Sequence, residues 1–408
     1  MSKSRSPAAA GHDNPDRKGV LMRHVSRSNL LAASIIACVP VLPALAQQSA
    51  PPEGDPGNPR GQRGGMSLPD KYLNENIHMG DISTEAADAA CDQEGYDRLL
   101  CLADGLKNSL SDELFAELQR DYSVEEAKLW SNFPPMGFSG RVGPTLGAFD
   151  AAQLGYVKAL LQTAMGQAAH EGYDELEELL NLDDYLIQET GETGFSSSNF
   201  QVAFLGTPSE TGTWELQYGG HHTAVSNTYV DGVLVSATPS FRGAEPFGTV
   251  EMNGRENDPM TQEWEALRAM LAALDTEQLA QAKLAQTYSD VVAGPQKDDN
   301  FPTEKEGLPI AQLTAGQKAL VLAAVETYVG DVAADPADRI MKIYEDQLDE
   351  TFIGWSGASD LNGSGAYVRL DGPQLWLEFS MQPGRSLPGI HPHSIWRDRE
   401  NDYAGNLD

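Results

Sequence analysis

The sequence predicts an α+β fold in which a single antiparallel or mixed sheet, assembled from a central meander and a set of C-terminal strands, is flanked by helices. Three observations carry this. From Ser197 to Val235 apolar residues recur at every second position, and the alternation returns between Thr351 and Arg397. The stretches around and between these blocks carry helical spacing and helix-start signals. Neither strand set is large enough to make a good sheet alone, so the two are expected to join although a helical block of about a hundred residues separates them.

The 408-residue chain opens with a segment read as a leader. Arg23 and Arg27 precede the apolar run Leu30 to Val39, and Ala44-Leu-Ala46 places small residues at the two positions a signal peptidase reads. Residues 1–46 are therefore assigned as a signal peptide cut near Ala46, with Met22 as an alternative start. Ile35-Ile-Ala-Cys38 also has the form of a lipobox, which would make Cys38 a lipid-bearing N-terminus; the apolar run beyond Cys38 favours the Ala-x-Ala site. Residues 47–80, rich in Pro, Gly, Gln and Ser, read as a disordered linker, and 81–408 as one domain.

Past the leader no stretch has the roughly 18 uninterrupted apolar residues of a membrane helix, so a soluble periplasmic or secreted protein is expected. In such a compartment Cys91 and Cys101 are expected to form a disulfide. A net charge of −32 excludes a nucleic-acid binder that works by neutralising phosphates.

Within the domain, Ser111-Asp-Glu-Leu opens a short helix, and Ser123-Val-Glu-Glu126 and Asp150-Ala-Ala-Gln153 are capping boxes for two more. The helix after Asp150 has Leu154, Val157, Leu160, Leu161 and Met165 at helical spacing, and that around Glu175 to Leu182 is expected to turn its acids to solvent. Phe200, Val202 and Phe204 begin the meander. Trp214, Leu216 and Tyr218 continue it, and Asp231-Gly232 between Thr228-Tyr-Val and Val233-Leu-Val signals a type I′ hairpin. A loop from Pro239 to Pro246 follows. Helices return at Pro259–Ala285 and Thr314–Leu348, and the last strands are Thr351–Trp355, Ala366–Leu370, Gln374–Ser380 and His393–Arg397.

Two constellations hold candidate chemistry. Trp214-Glu-Leu-Gln-Tyr-Gly-Gly-His-His222 is a strand ending in two glycines and two histidines; strand parity puts His222 on the Trp214 face and His221 on the polar face unless Gly219 and Gly220 re-aim both. Gly389-Ile-His391-Pro-His393 has two histidines two apart, whose rings project to the same side of an extended segment and suit one metal ion. The candidate metal ligands are His221, His222, His391 and His393, with Glu245 of the Pro239–Pro246 loop as a further, weaker one. His391, His393 and one of the pair at 221 and 222 are preferred. In the hairpin turning at Asp371-Gly-Pro-Gln374, pairing Asp371 with Gln374 places Tyr367 opposite Glu378 and Arg369 opposite Trp376 on one face. That face reads either as a solvated cation–aromatic stack or as a substrate floor. The candidate catalytic residues are Glu378, Arg369, Arg397 and Asp398; Trp214, Tyr367, Trp376 and Arg242 are candidate substrate contacts. No Gly-x-Ser-x-Gly elbow, His-Glu-x-x-His or phosphate-binding glycine loop occurs in the sequence.

Taken together, these residues resemble the DUF3500 family, a domain catalogued without a function. The resemblance runs from about Trp130 to Tyr403. It rests on Trp130-Ser-Asn-Phe-Pro134, Leu205-Gly-Thr-Pro208, Trp214 with Gly220-His-His222, and Pro239-x-Phe-x-Gly-x-Glu-Pro246. Tyr367-x-Arg-x-Asp-Gly-Pro373, Trp376-x-Glu-Phe379, His391-x-His393, Arg397-Asp398 and Asp402-Tyr403 complete it. Pro392 separates the two histidines and Ala404 stands where glycine is expected; neither departure removes a candidate ligand. The resemblance implies membership and no activity.

Two functions are therefore carried forward. The first is an exported metalloenzyme with a divalent zinc, copper or iron ion, the ions that imidazole ligands favour, acting on a small organic substrate with hydrolysis slightly ahead of oxidation. The second is a periplasmic or secreted small-molecule binder in which Trp214, Tyr367 and Trp376 stack on a ligand and Arg369 and Arg397 clamp its carboxylate. The first requires the two histidine motifs to converge to about 4–5 Å; a separation beyond about 12 Å rules out one shared ion.

Overall fold

The computed structural model describes Tyr72 and residues 75–405; the leader, with Cys38 and Ala46, lies outside them, as does most of the expected linker. The end of that linker is already part of the fold. Tyr72 and Met79 are buried, and the Ile77 amide donates to Ser197 Oγ at 2.7 Å. The apolar side chains of this stretch outweigh its polar neighbours.

Among the described residues thirteen strands form, in chain order β1 (Gln119–Arg120), β2 (Gln201–Leu205), β3 (Thr213–Gly220), β4 (Thr223–Val230), β5 (Val233–Ser236), β6 (Ser240–Gly243), β7 (Val250–Met252), β8 (Arg255–Asn257), β9 (Leu308–Pro309), β10 (Phe352–Ser356), β11 (Tyr367–Asp371), β12 (Leu375–Pro383) and β13 (Ile390–Asp398). Eleven of them make one mixed sheet in the order β1-β2-β3-β4-β6-β13-β12-β11-β10-β9, with β5 also on β4; β7 and β8 are a separate hairpin. Among the pairings of these strands β1–β2 is parallel and the others are antiparallel. The fold is thus α+β, with one sheet drawn from both halves of the chain.

The join lies at β6, which pairs with β4 through Thr223↔Arg242 and with β13 through His393↔Gly243 to Trp396↔Ser240. The sequence reads as a loop here. Four residues between Pro239 and Pro246 carry too little alternation to read as a strand, yet they close the sheet. Two hairpins follow sequence expectation differently. Asp231 and Gly232 both take positive φ, 48° and 80°, as a type I′ turn requires. Between β11 and β12 the register is shifted two residues from the expected one, to Arg369↔Glu378 and Asp371↔Trp376. A shift of two preserves every side chain's face.

The sheet is covered on both sides. Trp214, Leu216, Tyr218, Leu377, Phe379 and Met381 form one core with the helices Ala151–Ala164, Gly172–Thr190 and Ala315–Val329. Ala203, Leu205, Ala224, Phe241 and Ile395, on the opposite face, pack against Trp130, Val142, Val291 and Tyr403. That second cover is irregular chain, which supplies backbone groups and polar side chains at close range to the sheet. Cys91 and Cys101 are disulfide-bonded. Among the described residues no helix is long and apolar enough to cross a membrane.

Helix Gly172–Thr190 departs from expectation. Its acids at 175, 178, 183 and 184 are buried, not solvated. Each has a partner: Glu175 takes Arg242 Nε at 2.7 Å, Glu178 takes the more exposed His170 and Arg255, Asp183 takes His221, and Asp184 takes the Ser197 amide and hydroxyl. Charge alone does not tell a solvated helix face from one that satisfies buried cations and donors.

Candidate metal centre

Gly220 ends β3 and Thr223 begins β4, so His221 and His222 are the two residues of the connecting turn rather than strand positions. His222 sits in the left-handed region at φ 59°, where a side chain costs about 1–2 kcal/mol. The turn re-aims both rings. They stack on one another with centroids 3.7 Å apart, and His222 meets His391 and His393 at 5.2 and 5.3 Å. His391 and His393 share the loop-covered face of β13, as their spacing of two requires. Gly243 on β6 makes room for this meeting: a Cβ there would lie 2.9 Å from His222 Cδ2 and 3.0 Å from His393 Cδ2.

One nitrogen each from His222, His391 and His393 lies within 4.8 Å of the others, and all three residues are buried. The groups behind the rings bear on their tautomers. His391 Nδ1 faces the Pro383 carbonyl at 3.2 Å and His393 Nδ1 faces Asp290 Oδ1 at 2.9 Å. The Pro383 carbonyl is an acceptor, so a neutral His391 ring carries its proton on Nδ1 and a bare lone pair on Nε2; at His393 the Asp290 carboxylate favours the same tautomer, while the Gln382 amide nitrogen, 2.5 Å from Nδ1, favours the other. Those two Nε2 atoms are 3.0 Å apart. Bare lone pairs at that distance repel unless a proton or a cation lies between them. Burial pushes the pKa of His391 down to about 4, with the neighbouring His393 adding to the effect, and burial holds His222 well below its ordinary value with His221, His393 and His391 reinforcing it. An added proton is therefore costly here, and two arrangements suit neutral rings at this distance: an Nε2–H of His393 donated to His391 Nε2, or a metal ion between them. Two ligands on one tetrahedral zinc ion would stand ~3.3 Å apart, from Zn–N bonds near 2.0–2.1 Å.

His221 is not in this group of three. Its Nδ1 is 2.6 Å from Asp183 Oδ1, both side chains buried, which leaves Nε2 as its acceptor. Glu245 is also outside it: Oε1 accepts from the Arg385, Ser386 and Leu387 amides and anchors the loop that leads into β13.

The remaining candidates are placed elsewhere. Glu378 is wholly buried and its carboxylate takes the Val292 and Ala293 amides, Tyr367 Oη at 2.6 Å and Trp376 Nε1 at 2.8 Å. Arg369 lies over Trp376 and Tyr288 and pairs with Glu306 at 3.2 Å. Arg397 pairs with Asp402 at 2.6 Å and Asp298 at 2.8 Å, and Asp398 accepts from the Glu400 and Asn401 amides. The Tyr367, Arg369 and Trp376 face is thus neither solvated nor an open floor, because the segment around residues 288–306 lies over it. Trp214 and Arg242 face the helices: Trp214 stacks on Tyr229 at 4.7 Å, and Arg242 is locked between Glu175 and Asp331. A second group, His170, Asp174 and Glu178, also has ligand atoms in close range, but Arg255 donates to both acids.

Sequence reasoning passed over Asp183, Asp290 and Gln382, whose amide donates to Asp290 at 2.8 Å. A signal existed for Asp183: with Leu176, Leu179 and Leu186 it falls on the buried helical stripe, where an acid demands a partner. Asp290 stands in irregular chain with no pattern to mark it.

A family model described as "Protein of unknown function (DUF3500)" matches residues 92–405. No curated protein and no solved structure matches the chain.

Proposed function

From the premise that the chain belongs to the DUF3500 family, whose description assigns no activity, we propose that it is an exported metalloenzyme whose divalent ion is held by His222, His391 and His393. The observation that carries this is the convergence of three buried imidazoles from two distant motifs, one nitrogen of each within 4.8 Å of the others and two Nε2 atoms 3.0 Å apart. Hydrogen-bonded acceptors that fix the tautomer and orientation of ligating histidines are the usual outer shell of a metal site. Zinc, copper and iron are the ions that three imidazoles favour. When bound, such an ion supplies a Lewis acid with a coordination position left open to substrate.

The chain's own contribution is acid–base and positional. Asp183 holds His221 in the tautomer that leaves Nε2 as an acceptor, with its ring stacked on that of His222. This favours hydrolysis of a small organic substrate over oxidation, since hydrolysis needs a group that accepts a proton from water. The disulfide supports export to an oxidising compartment. Nothing favours the binding-protein alternative in the same way, because Arg369, Arg397, Tyr367 and Trp376 are buried and already engaged.

The test is metal analysis of the purified, exported form beside its His391→Ala/His393→Ala variant. The wild type is expected to carry close to one equivalent and the variant less than about 0.1. A wild type below about 0.1 after exposure to zinc, copper(II) and iron(II) ends the reading.

A further inference from the structure

We propose that Arg141 is the positioning residue of this centre, a clamp that holds the turn carrying His222 in its ligating conformation. The inference rests on the metal reading above. His222 occupies a left-handed conformation without glycine's freedom, and such a residue persists only where its surroundings over-determine it. Two backbone bonds hold it directly: its amide donates to Asn132 O at 3.0 Å, and its carbonyl accepts from Gly243 N at 2.8 Å. The first of these depends on where the segment 131–138 lies.

That segment is irregular, and one guanidinium fixes it. Arg141 donates through Nη2 and Nε to Ser131 O at 2.7 and 3.1 Å, through Nη1 to Phe138 O at 3.3 Å, and through Nη2 to Phe133 O. Nη2 also reaches Gly220 O at 3.0 Å, the carbonyl immediately before the histidine turn. The carbonyls flanking Asn132 and the carbonyl preceding His221 are thereby tied to a single planar group. Lysine has three donors on one atom and cannot span four carbonyls in this way.

The choice of partners separates this arginine from an ordinary buried ion pair. Arg141 is buried, and among the described residues it forms no ion pair with a carboxylate. Desolvation brings its pKa down to about 10, opposed by Tyr72 and by Asp183, the same carboxylate that holds His221. A charge buried against carbonyls alone is an expensive way to tie a loop. Here its fork converges on the turn that presents a ligand and faces the acid that orients the neighbouring imidazole.

The experiment is cobalt(II) titration of metal-stripped full-length exported protein, followed by its visible absorption, for the wild type, Arg141→Lys and His391→Ala/His393→Ala. Circular dichroism accompanies each titration. The wild type is expected to bind one equivalent with a resolved ligand-field spectrum; Arg141→Lys is expected to bind about 10–100-fold more weakly with shifted bands and unchanged circular dichroism. An Arg141→Lys protein with wild-type affinity and spectrum overturns the clamp and leaves the metal centre standing. A wild type that binds no cobalt overturns the metal reading itself. Should Arg141→Lys fail to fold, hydrogen exchange on the metal-free wild type decides: protection of the His222 amide comparable to that of neighbouring β4 amides supports a turn held in advance of metal, and free exchange at that amide overturns it.

Discussion

The Nε2 atoms of His391 and His393 lie 3.0 Å apart, with Pro383 O behind the first ring and Asp290 Oδ1 and the Gln382 amide behind the second. Everything proposed about function descends from this relationship. Two strand positions of equal parity bring the rings together, and irregular chain over the loop-covered face supplies Asp290.

Asp290, which also accepts from the Gln382 amide and from Val291 N, is expected to reach the metal centre through His393. Asp290→Asn removes the charge that favours a proton on His393 Nδ1 while keeping the side chain's size. Zinc affinity, measured by competition with a chromogenic chelator, should fall about 10–100-fold with little change in thermal midpoint. Unchanged affinity would mean that Asp290 does not orient the ring.

Gly243→Ala tests the space between strands. A Cβ at 2.9–3.0 Å from two imidazole carbons forces both rings to shift. We expect loss of tight metal binding together with a stability loss of about 1–3 kcal/mol from overpacking, read by chelator competition and urea unfolding respectively. A variant that binds metal as the wild type does would show that the rings can retreat.

Buried acids give a pH dependence with a definite sign. Glu171, Glu175 and Glu263 gather with Asp331 around Arg242, and Tyr328 also faces Glu263; burial first, then mutual repulsion, raises all three glutamates. Their folded-state pKa values thus stand above the ordinary glutamate value of 4.5, so the native state holds protons that the unfolded chain has released. Stability from these groups is fully present below about pH 4.5 and is lost as pH rises toward the folded values. Glu263→Gln, neutral at every pH, should flatten this decline and be relatively more stable than wild type at pH 8 than at pH 5 in urea unfolding. An equal effect at both pH values would contradict the assignment.

Cys91 and Cys101 close a short loop with a sequence separation of 10. Reduction, or the Cys91→Ala/Cys101→Ala variant, is expected to cost about 3 kcal/mol, seen as a lower thermal midpoint. A midpoint unaffected by reductant would show that the bridge adds nothing to this region.

How much of this was legible in the sequence depended on periodicity. Trp214, Leu216 and Tyr218 announced their common face, and the Asp231-Gly232 turn its type, because both are local consequences of backbone geometry. The shifted register between β11 and β12 left every face assignment intact, since parity survives a slip of two residues. What failed was non-local. Ser240–Gly243 is a strand only because β4 and β13 lie on either side of it, and its four residues between prolines carry no signal of that. The acids of Gly172–Thr190 resembled a solvated face because their partners, Arg242, His221 and Ser197, arrive from elsewhere in the chain. Convergence of the two histidine motifs was foreseeable from spacing and from the need to merge the strand sets. The turn that aims His222 was not.

The central claim, an ion on three imidazoles from two distant motifs, is tested most directly by X-ray absorption at the metal edge of the zinc-loaded protein. The account predicts three imidazole scatterers at about 2.0–2.1 Å, fewer in His222→Ala and none in the His391→Ala/His393→Ala/His222→Ala triple variant. An all-oxygen shell, or an imidazole count that these substitutions leave unchanged, would contradict it.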